Sequence, residues 1–103
     1  MSGEHADARV VRNDEAARYE ITVDGVLAEL VFHRNGDRLV LVHTEVPDAL
    51  EGMGIGSQLV RAAVDDARDG NFILVPVCPF ARAWLERHPA VAATIRIEWP
   101  KQP

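Results

Sequence analysis

The chain has 103 residues, enough for one domain with a single hydrophobic core and too few for two domains. Apolar residues make up 48% of the chain and charged residues 26%, the proportions of a soluble globular protein. The formal net charge of −5 argues against a nucleic-acid or anionic-membrane partner, because such partners attract clustered Lys and Arg side chains and the sequence has no basic stripe.

The two ends of the chain and its metal-binding residue types narrow the possibilities further. Residues 1–8 are small and acidic without an apolar stretch, so we expect a disordered tail here, and neither a signal peptide nor a membrane anchor. We expect one domain over residues 9–99 and a second short tail over residues 100–103. The single cysteine excludes an internal disulfide and indicates a reducing, cytoplasmic location. The histidines show no zinc-type spacing, so no metal site is predicted.

The first half of the chain has the pattern of an antiparallel meander. Strand-like segments occur at residues 9–12, 19–23, 26–33 and 39–46. Asp24-Gly25 and Asn35-Gly36 separate the last three segments, and both dipeptides favour tight hairpin turns. Residues 39–42 are apolar on both faces, which indicates a central strand that is covered on both sides.

The next segment changes to a helical period. From Ile55 to Ala67 the apolar side chains recur every three or four residues, which predicts an amphipathic helix with one face on the sheet. We expect Gly70 to follow the helix as the residue in the left-handed conformation that ends it.

Two further strands and a second helix complete the predicted order. Residues 72–77 form a short buried strand, and the helix before it makes this strand a parallel neighbour of the fourth strand. Pro79 favours a helix that starts directly after Cys78, and Pro89 ends that helix. With a last strand at residues 94–99, the order is β-β-β-β-α-β-α-β.

A glycine-rich loop, residues 51–57, lies between the fourth strand and the first helix. Its three glycines allow positive φ and a close approach of the backbone to a ligand, and the helix N-terminus adds unpaired N–H groups and the positive end of a dipole. This combination favours an anion. A Walker-type loop would need a lysine after Gly56, and a dinucleotide-binding GxGxxG would need a glycine where Ser57 or Leu59 stands.

Several short segments match one known family in order. They are His43-Thr44-Glu45-Val46-Pro47, Leu50-Glu51-Gly52, residues 63–68, Cys78-Pro79-Phe80 and Arg87-His88-Pro89. Residues 51–56 also lie in register with a pyrophosphate-binding motif of the form Gln/Arg-x-x-Gly-x-Gly/Ala. Over residues 19–89 the chain thereby resembles the GNAT acetyltransferase superfamily, and within it the minimal, single-domain GNAT-like branch.

The resemblance implies an α/β (α+β) fold class with a mixed central sheet. In this minimal GNAT fold an antiparallel N-terminal meander is followed by β-α-β-α-β, with a splayed pair of parallel strands. The resemblance also implies N-acetyltransferase activity with acetyl-CoA, whose pyrophosphate would bind the loop amides and whose pantetheine arm would bind backbone groups freed at the splay. The implied coenzyme-binding residues are Thr44, Val46, Gly52, Met53, Gly54, Ile55, Gly56, Ser57, Cys78 and Phe80.

The sequence departs from the superfamily at two positions. Glu51 replaces the leading Gln or Arg of the motif, as it does in the minimal branch, and we expect its side chain to point away so that only the backbone binds the diphosphate. GNAT enzymes often place a tyrosine on the second helix to protonate the leaving thiolate, and Leu85 stands at that position. This general acid is missing.

His43, Glu45 and Cys78 are the candidate catalytic residues. Unless a bulge intervenes, His43 and Glu45 leave the same face of a strand, where either could take the proton of an amine. Cys78 begins a helix whose dipole favours the thiolate, and it could protonate the CoA thiolate or accept the acetyl group itself. The alternatives are a histidine bonded to a neighbouring backbone group and a cysteine that packs as a small apolar residue.

The acceptor side of the molecule is expected to be open. Full-sized GNAT domains insert two helices between their first strands, whereas only a short turn separates Asn13 from Tyr19 here. An open side suits a protruding amine on a protein or peptide. We therefore expect transfer to such an amine by a monomer or homodimer. The alternatives are a non-catalytic CoA-binding or interaction module and a small α/β domain that binds no nucleotide.

Overall fold

The computed structural model describes residues 9–101 as a sheet packed against helices. The strands are β1 (Val11–Asn13), β2 (Arg18–Val23), β3 (Val26–Asn35), β4 (Arg38–Glu45), β5 (Ile73–Pro76) and β6 (Arg96–Ile97). The helices are α1 (Ile55–Gly70), α2 (Pro79–Arg87) and α3 (Pro89–Ala92), and a 3₁₀ turn covers Asp48–Leu50. The predicted tail at residues 1–8 and the last two residues of the predicted C-terminal tail lie outside the described residues.

The strands form one mixed sheet in which their order across the sheet is their order along the chain. β1 to β4 pair antiparallel, and β5 and β6 continue the sheet in parallel with β4. These pairings confirm the predicted meander and the predicted parallel pair. The last strand is shorter than the predicted residues 94–99, because α3 and the turn after it take up the chain before Arg96.

Both predicted hairpin turns are present, although one lies a residue later than predicted. Asp24 and Gly25 form the turn between β2 and β3 with φ values of 52° and 80°, as in a type I′ turn. In the next hairpin Asn35 still pairs with Arg38, so the two turn residues are Gly36 and Asp37.

Helix α1 carries the predicted apolar stripe but ends differently from the prediction. Gly70 is the last helical residue, and Asn71 adopts the left-handed conformation with φ 58° while its N–H bonds to the carbonyls of Ala67 and Arg68. Asparagine tolerates this conformation better than most residues. At Gly70 the missing side chain serves packing instead, because a Cβ there would lie 2.4 Å from the ring of Phe72.

The helices pack on one face of the sheet and leave the other face open. The β4-α1-β5 and β5-α2-β6 crossovers move the same way across the sheet, so two right-handed crossovers place their helices on the same side. On that side Leu39 and Leu41 are buried, whereas on the other side Val40 is half-buried and Val42 is 44% exposed. The prediction that β4 is covered on both faces is therefore wrong, although β4 is a central strand.

Tyr19 ties the sheet to α1 at the end remote from the glycine loop. Its hydroxyl donates to Asp66 Oδ2 at 2.9 Å, and the same oxygen accepts a hydrogen bond from Arg12 at 3.0 Å. Burial, assisted by the hydrogen bond to Asp66, raises the pKa of Tyr19 well above its usual range.

This raised pKa predicts a loss of stability at alkaline pH. Above about pH 10, where tyrosine titrates in an unfolded chain, the folded protein keeps a proton that the unfolded chain releases, so the free energy of unfolding should fall as pH rises. Below that pH, the stabilisation that comes from the protonated Tyr19 side chain is fully present. In Tyr19→Phe this contribution to the slope should disappear, so that the slope becomes shallower, and stability at pH 7 should fall by about 0.5–1.5 kcal/mol for the lost hydrogen bond.

Urea unfolding between pH 7 and pH 11 measures both effects. Because the chain contains one tyrosine, the part of the alkaline slope that Tyr19→Phe removes can be assigned to this residue. An equally steep slope in Tyr19→Phe would contradict the assignment.

Candidate functional site

The parallel strands β4 and β5 part at a defined point, as predicted. They pair from Arg38 opposite Ile73 to Leu41 opposite Pro76, and a last hydrogen bond runs from the Cys78 N–H to the Leu41 carbonyl at 2.9 Å. Beyond this point β4 continues along β3, while the chain after β5 turns into α2. Among residues 9–101, the backbone of β4 after Leu41 therefore has no partner strand on its β5 side.

A cleft of about 370 Å³ opens where the strands separate. The end of β4, the glycine loop, the start of α1 and one side of α2 form its walls. The lining residues are Thr44, Val46, Leu50, Glu51, Gly52, Gly54, Ile55, Gly56, Ser57, Phe80 and Arg87.

The glycine loop delivers an uncapped helix N-terminus to this cleft. Gly52 and Gly54 have φ values of 82° and 72°, a conformation that most other residues adopt only with strain. Gly54 is the N-cap of α1, none of the side chains that the structure describes caps the helix, and the first internal hydrogen bond is donated by Gln58. The first-turn amides are thus available to an anion, and the helix dipole favours negative charge at the same place.

Helix α2 forms the opposite wall and touches the start of α1 closely. The Phe80 ring packs directly on Gly56, where an added Cβ would lie 2.5 Å from the ring. One turn later the Trp84 indole N–H donates to the Ser57 hydroxyl at 2.8 Å. Gly56 and Ser57 at the start of α1 therefore contact Phe80 and Trp84, which lie one turn apart on α2. These two contacts fix the distance between the helices and so the width of the cleft.

Two charged residues line the cleft, Glu51 and Arg87, and both are exposed. Arg87 has no ion-pair partner within residues 9–101, so its guanidinium is available to an anionic ligand. Arg82, also on α2, donates to the Pro100 carbonyl at 2.8 Å and lies outside the cleft.

Thr44 and Cys78 meet at the point where the strands part. The Thr44 hydroxyl lies 3.0 Å from the Cys78 sulfur, and Cys78 is 3% exposed. Thr44 lines the cleft, so the cysteine stands directly behind a hydroxyl group that a ligand can touch. The buried side chain supports the packing alternative for Cys78 without removing the sulfur from the site.

His43 and Glu45 stand together on the open face of the sheet. Val31 pairs with His43 and Phe32 with Leu41, so Val42 is the extra residue of a β-bulge. The bulge lies before His43 and leaves the predicted alternation intact beyond it. His43 Nε2 is 3.2 Å from Glu45 Oε1, and the two side chains are 59% and 61% exposed. Because a carboxylate can only accept, Nε2 carries the proton of this bond and Nδ1 is left as the acceptor of a neutral ring.

Most of the coenzyme-binding residues proposed from the sequence line one cleft. Met53 is exposed outside it, and Cys78 lies behind Thr44. Sequence reasoning missed Leu50 and did not select Trp84 or Arg87 for the site. Phe80, Trp84 and Arg87 are spaced at i, i+4 and i+7 on α2, so helical periodicity would have placed all three on the wall that faces the loop.

The structure also bears on the missing general acid. The single tyrosine of the chain, Tyr19, is buried and hydrogen-bonded to Asp66, so no tyrosine lines the cleft.

Within residues 9–101 no group of His, Cys, Asp and Glu side chains is arranged to hold a metal ion. In the same part of the chain no helix is long and apolar enough to cross a membrane.

Comparison with known proteins identifies the family. Residues 18–94 match the family described as GCN5-related N-acetyl-transferase. With most of its length matched, the chain belongs to this family, which supports a function of the acyltransferase type.

Related proteins and a solved structure agree with this assignment. Protein NATD1 of Mus musculus and of Homo sapiens are each 30% identical over 84 residues, which is 79% of this chain and 76% and 74% of theirs. A GCN5-like protein from Staphylococcus aureus, solved by NMR in solution, superposes with a TM-score of 0.70 at 25% identity over 99% of this chain and 95% of its own. These similarities confirm the expected GNAT fold.

The contact between Phe80 and Gly56 predicts a specific steric effect. In Gly56→Ala the new methyl group must displace the Phe80 ring, at a cost of about 1–3 kcal/mol, which lowers the melting temperature by roughly 4–8 °C per kcal/mol. Phe80→Leu removes the three ring carbons nearest the methyl group. The same glycine substitution should therefore cost much less in the Phe80→Leu background. Equal costs in both backgrounds, measured by thermal unfolding, would argue against this contact.

Proposed function

We propose that the protein is an acetyl-CoA-dependent N-acetyltransferase that acts on an amine carried by a protein or peptide. The observation that carries the proposal is the uncapped N-terminus of α1, which opens onto a cleft between parted parallel strands in a GNAT-family chain. Such a cleft suits an anionic ligand that also carries a long chain with hydrogen-bonding groups. Without a ligand, the uncapped amides of α1 and the unpaired backbone groups of β4 would both need water as a partner.

The residues present fit acetyl-CoA. The amides of Ile55, Gly56 and Ser57 would bind the diphosphate, and Arg87 would add a positive charge beside it. The β4 backbone from Thr44 to Val46 would pair with the amides of the pantetheine arm. Acetyl-CoA would supply an activated acetyl thioester.

The acceptor amine would approach from the open face of the sheet. His43 and Glu45 stand there as an exposed pair, with space around them that suits an amine on a larger molecule. His43 would take the amine proton at Nδ1 while Nε2 donates to Glu45, whose carboxylate stabilises the protonated ring. Direct deprotonation by Glu45 is the alternative for the same pair.

Cys78 admits two routes at the acetyl end. In the direct route the amine attacks the thioester, and the Thr44–Cys78 pair supplies a proton to the departing sulfur. In the covalent route the Cys78 sulfur accepts the acetyl group, its proton passes to the departing thiolate, and the amine then removes the acetyl group from Cys78. Both routes balance without any further reactant.

Binding is tested by thermal unfolding with acetyl-CoA. A ligand at 100 times its dissociation constant stabilises the native state by about 2.7 kcal/mol, which corresponds to a rise in melting temperature of roughly 10 °C or more. Arg87→Gln should shrink this rise at equal ligand concentration because it removes the cation at the cleft. Arg9→Gln, an equal change of charge at an exposed residue outside the cleft, is the matched control. No shift at saturating acetyl-CoA would refute the proposal.

Catalysis is tested by the release of CoA in the presence of a panel of peptide amines. His43→Ala should lower kcat by about 100-fold or more, as expected for a lost general base, and added imidazole should restore part of the rate because the site is exposed. His33→Ala, at another exposed histidine of the same sheet face, should leave kcat unchanged. Unchanged turnover in His43→Ala would exclude His43 as the base.

The two routes at Cys78 separate by mass spectrometry. Incubation with acetyl-CoA alone should leave an acetyl group on Cys78 if the route is covalent, and none if transfer is direct. Binding without turnover for every amine would favour the alternative of a non-catalytic CoA-binding module.

A further inference from the structure

The indole N–H of Trp84 donates a hydrogen bond to a residue that lines the cleft. The indole Nε1 donates to Ser57 Oγ at 2.8 Å, and Trp84 is 1% exposed. Ser57 lies in the first turn of α1 and lines the cleft. A buried side chain therefore contacts the ligand-facing wall from behind.

This contact restricts the direction of the Ser57 hydroxyl proton. A serine hydroxyl has one proton and two lone pairs, whereas an indole can only donate, so the proton must point away from Trp84. Serine near a helix start often bonds to nearby backbone, yet no side chain caps α1, and within residues 9–101 no acceptor receives this proton. The free direction is the cleft, beside the unpaired amides of Ile55 and Gly56.

The indole is itself held in place. The His88 ring stacks on it with 3.9 Å between ring centres and 16° between planes, and His88 Nδ1 lies 2.7 Å from the Trp84 carbonyl. Since that carbonyl can only accept, Nδ1 donates. The Arg61 guanidinium lies 5.0 Å from the centre of the indole ring. The N–H direction is thus fixed by the packing of α2, before any ligand binds.

We propose that Trp84 is a positioning residue for the diphosphate of the coenzyme. By occupying a lone pair of Ser57, it holds the hydroxyl as a donor aimed at the bound anion, so that a side-chain donor joins the helix amides. The proposal rests on the proposed function, because the diphosphate is that of acetyl-CoA. It assigns Trp84 an effect on the anionic end of the ligand that a residue serving only the core would not have.

Calorimetric titration with acetyl-CoA tests the proposal in a double-mutant cycle. Trp84→Phe, which keeps an aromatic ring without the N–H, and Ser57→Ala should each weaken binding about tenfold, the equivalent of about 1.4 kcal/mol. The double variant should also be about tenfold weaker, because both changes remove the same oriented donor. Independent effects would instead multiply to about a hundredfold.

A ligand without the diphosphate separates positioning from a structural effect. S-acetyl-pantetheine, followed by NMR titration, should bind the wild type and Trp84→Phe within about twofold of each other, since it makes no contact with the Ser57 donor. Trp99→Phe removes an indole N–H from an exposed position outside the cleft and should leave both affinities unchanged.

The outcomes distinguish this inference from the proposed function. If the wild type does not bind acetyl-CoA, both fail. If it binds but the double variant is about a hundredfold weaker, or Trp84→Phe weakens both ligands equally, the proposed function stands and the positioning role is overturned. A tenfold effect confined to acetyl-CoA and shared with Ser57→Ala supports it.

Discussion

The parting of β4 and β5 after Leu41 is the constraint on which the rest of the site depends. β4 stays paired with β3 through a bulge at Val42, so it continues alongside β3 as far as Glu45. β5 ends at Pro76, which has no N–H to extend a ladder, and the following Val77 N–H bonds back to the Val75 carbonyl at 3.0 Å in a tight turn. One strand continues and the other turns away, so a gap must open. Within the described part of the chain, the backbone exposed in that gap has no protein partner across it, and this makes a ligand-binding function physically reasonable.

Because the helices cover one face of the sheet, the residues of the candidate site lie on two different faces. On the covered face, the first turn of α1 packs against Phe80 and Trp84 of α2 and presents uncapped amides to the cleft. On the open face, the absence of a covering helix among the described residues leaves His43 and Glu45 in contact with solvent. Thr44, between them in the sequence, points to the covered side and reaches Cys78. Alternation along a single strand thus places the proposed anion-binding side and the proposed acceptor side on opposite faces of one sheet.

The same geometry explains how a chain of this size forms such a site. The strands bury side chains on one face against two helices, which is enough for one core. The other face is free to carry charged and polar groups, such as the ion pairs that Arg18 makes with Glu20 and Glu29.

Local sequence patterns predicted the order of the elements, the hairpins, the parallel pair and the start of α2 at Pro79, because period, turn residues and proline act within a few positions. The glycine loop was likewise readable as a turn that leads into a helix, and the structure leaves the first amides of that helix uncapped. That the loop binds an anion stays a prediction. Local pattern failed at Gly70, where the ring of Phe72 requires the missing side chain and Asn71 ends the helix instead. It failed also in predicting that both faces of β4 are covered. The direction of the two crossovers decides which face the helices cover, and apolar residues on both faces of a strand do not reveal that direction.

The sequence by itself determined which residues carry reactive or ligand-binding groups and where they lie along the chain, since the covalent structure fixes residue type and spacing. Only the tertiary structure decided that Trp84 reaches Ser57, that Cys78 lies behind Thr44, and that His43 faces away from the cleft. Those contacts join residues far apart in the chain or depend on a bulge. They follow from how the helices and strands pack together, which no local pattern encodes.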